Sequence, residues 1–589
     1  MVNLPEINFS FVFMRYNELF IFMRRFIFFT CLFILFVSQT NAQLPTLKKV
    51  DGRTQLIVDG MPFFALAGEL HNSSTGSVQN METIWPRMAE KNLNTVIAAM
   101  SWELLEPIEG EFDYSILDAM VQGAEKNHLK LVILWFGSWK NGNSTYVPAW
   151  VKTDKKRFPL VKNKNGNELN ILSTFSVNAC KADSNAFAHL MAHLRETDRN
   201  HTVIAVQIEN EIGTMDMAST YMNMPNGIMR DFSSPANKAF AGQVPSDLIS
   251  YLKKNQKNLN PVIAETWSSN GKKEKGTWEE VFGVSKEDTT SNFNEHFSYL
   301  TDEIFNTWNY ATYVQQVAVA GKKEYNIPMY VNAWMKQPSQ RDPGLYPSGG
   351  PQAHLIDIWR AGAPAIDFLA PDIYEISIFD KICQDYKQSD NPLFIPETRV
   401  DAAAAARALY TFGKYGALCY APFGIDGGGF TNSAAPNEEY FRMVYGALKR
   451  LMPYLQQYAG TDKCIGLYLD DKKTTDSQKL GDYNVVARRI MLGSAQALFG
   501  TSGEEQKQEN LASGAIIFQV AENEFIVAAG VGSISISISK PGVNGYISVD
   551  EIRQDKDDKT YYHRLNGDET AFGGATVSNG EVKIFRIRM

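Results

Sequence analysis

The sequence predicts an α/β protein: a (β/α)8 TIM barrel followed by a smaller β-sandwich-like domain. Three observations carry this. Eight short, nearly all-apolar runs lie between residues 63 and 421, with helix-like patterns or insertions between them. Strands covered by helices on both faces need such runs, and eight in alternation close into a barrel. After residue 436 the pattern changes to brief alternating runs punctuated by Gly, Asn and Asp, which suits antiparallel sheets. Finally, 589 residues accommodate one large domain and one or two smaller ones.

Composition narrows the class. Hydrophobic residues make up 44% and charged residues 21%, which excludes disordered, collagen-like and coiled-coil chains. With 57 Lys+Arg against 65 Asp+Glu, the net charge is −8. Nothing there attracts nucleic acid. Ten Trp within a 12% aromatic content suit stacking on planar or sugar-ring ligands as well as core packing.

The first segment, 1–42, reads as a signal peptide. Met23-Arg24-Arg25 precedes an apolar run over 26–37, and small and polar residues lead to Ala42. The run is too short to span a bilayer. Arg15, Glu18, Arg24 and Arg25 interrupt any longer stretch, and Met23 is an alternative start. Cys31 lies inside the apolar run rather than at the cut, so a lipid anchor is not expected. Export would place the mature chain in the periplasm or outside the cell, with no membrane span. Cys180, Cys383, Cys419 and Cys464 are widely spaced and imply neither a disulfide framework nor a zinc site.

The barrel is expected over 43–435. Its strands fall at 63–70, 94–100, 129–136, 202–208, 328–333, 365–370, 392–395 and 417–421. Helices are expected at 85–91, 115–127 and 185–197, and the largest insertion, about 212–326, carries another at 301–320. A helical linker at 438–458 opens the remaining region, 436–589, whose strands are read at 514–520, 524–529, 533–539, 546–549 and 582–587. His189 and His193 share a helix face at i, i+4 but lack the acid of a zinc-protease pattern, so no metal is expected. Gly427-Gly428-Gly429 follows the eighth strand without a helix directly behind it, and reads as a rim loop rather than a phosphate cradle.

Side chains at the C-terminal ends of barrel strands face the active site. The fourth strand runs into Glu209-Asn210-Glu211 and the seventh into Pro396-Glu397-Thr398-Arg399. Carboxylates at strand ends are costly to desolvate without a task or a partner. Two of them across a barrel mouth are what glycoside hydrolysis needs: one protonates the leaving oxygen, and the other attacks the anomeric carbon or activates water. Rim ion pairs, for example with Arg399, are the structural alternative.

The segments around these residues resemble glycoside hydrolase family 35, the β-galactosidases. Residues 206–213 (VQIENEIG) are similar to that family's acid/base segment, 68–73 (GELHNS) to its first-strand segment, 102–112 (WELLEPIEGEF) to its second and 135–151 (WFGSWKNGNSTYVPAWV) to its third. Residues 370–374 (APDIY) and 391–397 (NPLFIPE) resemble its bacterial secreted subgroup, whose barrel is followed by a β-rich domain. The resemblance implies that Glu211 is the general acid/base and Glu397 the nucleophile, with Asn210 placed to bind the sugar 2-OH as in the larger clan of such barrels.

A hydroxyl on Tyr374 is placed to steady Glu397. Glu69, Asn72, Glu103 and Asn141 are candidates to bind sugar hydroxyls, and Trp102, Trp139 and Trp334 to stack on the ring, core packing being the alternative for each Trp. Animal-type members carry an aromatic hydroxyl where this chain has Ala98-Ala99-Met100, so the galactose contacts made there do not carry over.

The expected protein is a secreted retaining exo-β-galactosidase that needs no cofactor and acts on an oligosaccharide or plant-type glycan. The alternatives are a β-glycosidase for arabinose, fucose or glucose units, an endo-glycanase of the same clan, and a non-catalytic sugar-binding protein.

Overall fold

The eight apolar runs form eight strands: Ala65–Glu69, Thr95–Ser101, Lys130–Lys140, Val203–Asn210, Met329–Trp334, Phe368–Ile373, Phe394–Thr398 and Cys419–Pro422. In this computed structural model, which describes residues 43–222, 227–288, 297–427, 435–490, 511–543, 545–565 and 574–589, they pair in parallel and in chain order. The eighth returns to the first, which closes the barrel. The expected signal segment lies outside the described residues, as do Gly428 and Gly429 of the rim loop. The chain divides at Leu44/Pro45 into two units, and the barrel and the C-terminal sheets both belong to the second, Pro45–Met589.

The strands are buried nearly throughout because both faces are covered. Inside, Ala67, Ile97, Val132, Leu134, Ala205, Tyr330 and Phe394 share one core. Outside, the strands pack against helices such as Ser115–Lys126, Val177–Thr197 and Leu300–Glu324. The long insertion after the fourth strand builds its own core around Leu248, Ile263, Trp267, Trp278 and Phe305. Trp267 and Trp278 are therefore structural.

A small antiparallel sheet, Thr46–Val50, Arg53–Val58 and Met61–Pro62, precedes the first barrel strand and has no counterpart among the predicted elements. Its Leu56 and Val58 join the barrel's inner core. The predicted linker helix is two helices, Ala435–Arg450 and Met452–Tyr458. Pro453 lies in the first turn of the second, where its missing N–H costs nothing but from which a continuous helix could not be propagated.

The C-terminal region is two antiparallel sheets. One has six strands, with Ser513–Ala521, Glu524–Val531 and Val582–Arg588 at its centre; the other has four, including Tyr483–Arg489 and Ile534–Ser539. Alternation decides which face goes where. Ala515, Ile517, Val527 and Phe585 point between the sheets, whereas Ile516, Phe518, Ala528 and Ile584 join the barrel core beside Ala405, Leu409 and Phe412. These last three lie on the barrel helix Ala402–Tyr415. Contact is so close that a Cβ on Gly514 would overlap the Ala406 carbonyl, and one on Gly466 the Tyr410 carbonyl.

Candidate active site

The fourth strand positions three consecutive polar residues by breaking its own alternation. An undistorted strand would put Glu209 and Glu211 on one face and Asn210 on the other. Instead Glu209 and Glu211 both adopt left-handed backbone, with φ of 60° and 46°, at a cost of order 1–3 kcal/mol each. Glu209 turns away, and its carboxyl accepts the backbone N–H groups of Ser138 (3.1 Å) and Trp139 (2.7 Å). Asp183 lies beside it, accepting from Trp135 Nε1 (2.8 Å) and Ser138 Oγ (2.7 Å). Burial, then the charge of Asp183, raises Glu209 well above the carboxylate range.

Asn210 and Glu211 both meet Glu397. Asn210 Nδ2 donates to Glu397 Oε1 at 3.1 Å, and carboxylate oxygens of Glu211, Glu397 and Asp372 lie within 4.8 Å of one another. Asp372, on the sixth strand, is in register with Glu397 on the seventh. From the fifth strand, Asn332 ties the cluster together. Its Oδ1 accepts the Glu211 backbone N–H at 2.8 Å, and its Nδ2 donates to Asp372 Oδ2 (2.7 Å) and Glu397 Oε1 (3.2 Å). The Tyr374 hydroxyl donates to Glu397 Oε2 at 2.9 Å. Glu397 thus receives donors on both oxygens, which fixes the orientation of its carboxyl group. Arg399 is engaged elsewhere, with Asp401 at 2.7 Å, so the rim ion-pair alternative does not apply to Glu211 or Glu397 with Arg399.

Glu211 lies in a different field. Burial, then the neighbouring Glu397 charge, pushes it up to about 8, with Lys140 and Asp372 opposing. Lys140, beyond the predicted end of the third strand, donates to Asn210 Oδ1 at 2.6 Å.

These groups open onto a cavity of about 320 Å³ lined by Asn72, Lys140, Asn141, Glu211, Trp334, Asp372, Tyr374, Glu397 and Phe423, which is at the small end for ligand pockets. Tyr221 from the insertion, Met335 and Gln337 after the fifth strand, and Glu375 after the sixth complete its wall. Asn72 Oδ1 and Asn141 Oδ1 are buried acceptors without a hydrogen-bond partner, which suits a ligand rich in hydroxyl donors.

Four expected contacts fall elsewhere. Trp102 is fully buried, donates to Glu106 at 2.8 Å and packs edge-on to Trp150. Trp139 is likewise core, between Tyr310 and Tyr313, with its indole N–H on the Leu172 carbonyl. Glu103 pairs with Lys152 at the surface. Glu69 points into the barrel, with no partner on either oxygen, and burial followed by Glu397 holds it well above the usual carboxylate range. None of the four lines the cavity. His189 and His193 stack on Phe112 and Tyr114, and His193 pairs with Asp118 at 2.7 Å.

Asn332, Asp372 and Lys140 are site residues that the sequence reading does not single out. An amide within the apolar run MYVNAW and an acid within FLAPDI are the available signals, since a polar residue inside a strand buried on both faces needs a partner or a task.

Residues 72–374, just over half of the chain, match the glycoside hydrolase 42 family model, described as beta-galactosidase. The chain belongs to this family. The matched region of this glycoside hydrolase 42 member contains Glu211 and Asp372 and ends before Glu397. Residues 441–575 match a domain of unknown function. No curated protein sequence is significantly similar to the chain.

Among solved structures, the chain is similar to the β-galactosidase of the psychrophilic Marinomonas ef1 (11% identity, TM-score 0.43, 66% of this chain and 60% of that one). It is also similar to the β-galactosidase of the Antarctic haloarchaeon Halorubrum lacusprofundi (14%, 0.43, 65% and 58%) and to the catalytic domain of β-amylase from Paenibacillus polymyxa (11%, 0.43, 64% and 96%). The chain therefore spans about 60% of the length of the Marinomonas protein.

Proposed function

We propose that this protein is a retaining, exo-acting β-galactosidase that releases terminal galactose from oligosaccharides or plant-type glycans by double displacement. The observation that carries the reading is the placement of Glu211 and Glu397 oxygens within 4.8 Å. Retaining enzymes hold their two carboxyl groups about 5–5.5 Å apart, closer than the roughly 6.5–9.5 Å that inverting enzymes leave for a water, and so near an approach of one oxygen from each residue supports the former.

The two environments divide the labour. Glu397, gripped by Asn210, Asn332 and Tyr374, attacks the anomeric carbon. Glu211, whose raised pKa keeps its proton near neutral pH, gives that proton to the departing glycosidic oxygen. Water then enters, Glu211 takes one of its protons, and the resulting hydroxide displaces Glu397 from the sugar. Asn210 is assigned to the sugar 2-OH, Asn72 and Asn141 to other hydroxyls, and Trp334 to the ring face. The small cavity, walled by Tyr221 and Gln337, favours a terminal sugar over a threaded chain.

Galactose is favoured by the description of the matched family and by the motif resemblance to family 35. One observation favours a β-glycosidase for another sugar: Ala98, Ala99 and Met100 are buried and bring no hydroxyl from the second strand. Export through a cleaved signal segment, to the periplasm or beyond, belongs to the same proposal. A panel of aryl β-glycosides tests the sugar, and proton NMR of the first product anomer tests the stereochemistry. Fastest release of β-galactose is the expected result. First-formed α-galactose would refute retention, and turnover confined to another sugar would refute the specificity.

A further inference from the structure

The third carboxyl of the cluster has no part in the two-glutamate reaction. Asp372 lies 2% exposed on the sixth strand. One of its oxygens is within 4.8 Å of both Glu211 and Glu397. Oδ2 accepts from Asn332 at 2.7 Å, and Oδ1 has no partner although it is buried and its residue lines the cavity. Three acids this close do not ionise together. The groups around Asp372 are Glu397 and Glu211 beside it, Glu69 from the first strand, and the phenols Tyr330, Tyr374 and Tyr386. The cation of the site, Lys140, is hydrogen-bonded to Asn210. With Glu397 required as the charged nucleophile, Asp372 is left neutral, and a neutral carboxyl owns an O–H donor.

We infer that Asp372 is a positioning residue: a neutral carboxylic acid whose O–H donates to the Glu211 carboxylate formed once Glu211 has protonated the leaving group. The inference rests on the two-glutamate reading of the site. Burial, and then the Glu397 and Glu211 charges, raise Asp372 well above the carboxylate range, in agreement. The protons balance without Asp372 losing its own. The Glu211 proton leaves with the glycosidic oxygen, the Glu211 carboxylate accepts the Asp372 O–H, and a proton from the attacking water then restores Glu211. The hydrogen bond orients Glu211 as the base of the second half-reaction and contributes little to the first.

The test compares Asp372→Asn and Asp372→Ala with the wild type on the 2,4-dinitrophenyl β-glycoside that the wild type turns over fastest. Asp372→Asn keeps an acceptor for Asn332 and supplies an N–H donor. It is expected to stay within about threefold of wild type in kcat and kcat/KM. Asp372→Ala is expected to lose roughly 10–100-fold in kcat, the range for a hydrogen bond to a charged group. Its kcat/KM should stay within about threefold, KM should fall in parallel, and a burst of about one equivalent of dinitrophenolate should mark the accumulated glycosyl-enzyme.

An Asp372→Asn variant as impaired as Asp372→Ala, or an Asp372→Ala loss that falls on kcat/KM without a burst, overturns the inference. If melting curves show that Asp372→Ala does not fold, Asp372→Asn decides alone, and a loss beyond tenfold in it is the overturning result. Glu211→Ala and Glu397→Ala, run alongside, separate the two readings. Normal turnover in either defeats the two-glutamate mechanism, whereas their inactivity combined with a failed Asp372 test defeats only the role of Asp372.

Discussion

Asn210 donates to Glu397 Oε1 at 3.1 Å, so the residue next to the proposed acid holds the proposed nucleophile. The backbone of the fourth strand thereby sets the position of both carboxyls at once, and the left-handed residues on either side of Asn210 are what allow it.

Replacing Glu397 by Gly removes the attacking group. Hydrolysis is expected to fall on the order of 10⁴-fold or more, as when a covalent nucleophile is lost. Added azide should enter from the vacated side and give the α-glycosyl azide, identified by NMR. A β-azide, or normal turnover, would show that Glu397 is not the nucleophile.

Glu211→Ala should separate substrates by leaving group. Natural oligosaccharides are expected to lose about 10²–10⁴-fold in rate, the typical value of general acid catalysis. Dinitrophenyl glycosides, whose departure needs no proton, should still form the covalent intermediate, which stopped-flow absorbance detects. Equal losses for both substrates would contradict the acid assignment.

The acidity of Glu211 makes two pH statements. With its pKa pushed up to about 8, kcat/KM is expected to decline as pH rises through that value. Stability follows the same group. The folded protein retains a proton between the unfolded carboxyl range near 4.5 and about 8, so this contribution is present at mildly acidic pH and is lost as pH rises through the window. Asp372, Glu69 and Glu209, all raised, act in the same direction. Thermal melting from pH 5 to 8.5 should show Tm falling, and Glu211→Gln should flatten the slope.

Tyr374→Phe removes one donor from Glu397 and leaves the ring. The expected loss in kcat/KM is roughly 10–100-fold, equivalent to about 1.5–3 kcal/mol for a hydrogen bond to a charged group. Unchanged Tm alongside that loss would separate the hydroxyl's role from packing.

Gly514→Val should weaken the union of barrel and sheets, because the new side chain would meet the Ala406 carbonyl. Overpacking of this kind costs about 1–3 kcal/mol, and calorimetry should register a lower Tm with kcat unchanged at low temperature.

The barrel is legible because strands covered on both faces admit almost nothing but apolar residues, so all eight stand out, and Glu211 and Glu397 stand out in turn as acids where apolar residues end. The opposite situation conceals Asn332 and Asp372: they sit inside such runs, and the hydrogen bonds that Asn332 donates to Asp372 and to Glu397 reveal why burial is tolerated there. Trp102 and Trp139 cannot be sorted by type, since an indole serves equally as core or as cavity wall. Their indole N–H partners, Glu106 and the Leu172 carbonyl, decide for core. Lys140 is hidden because the third strand continues four residues past its apolar run, to Lys140 itself.

The close seating of Gly514 and Gly466 on the helix Ala402–Tyr415 has a practical corollary. An excised barrel, ending near residue 450, would bare the patch now covered by Ile516, Phe518 and Ala528, and would be prone to clump when produced. The tail works as a built-in lining of the catalytic half, so exchanging it for an unrelated module would require the outer surface of that helix to be rewritten.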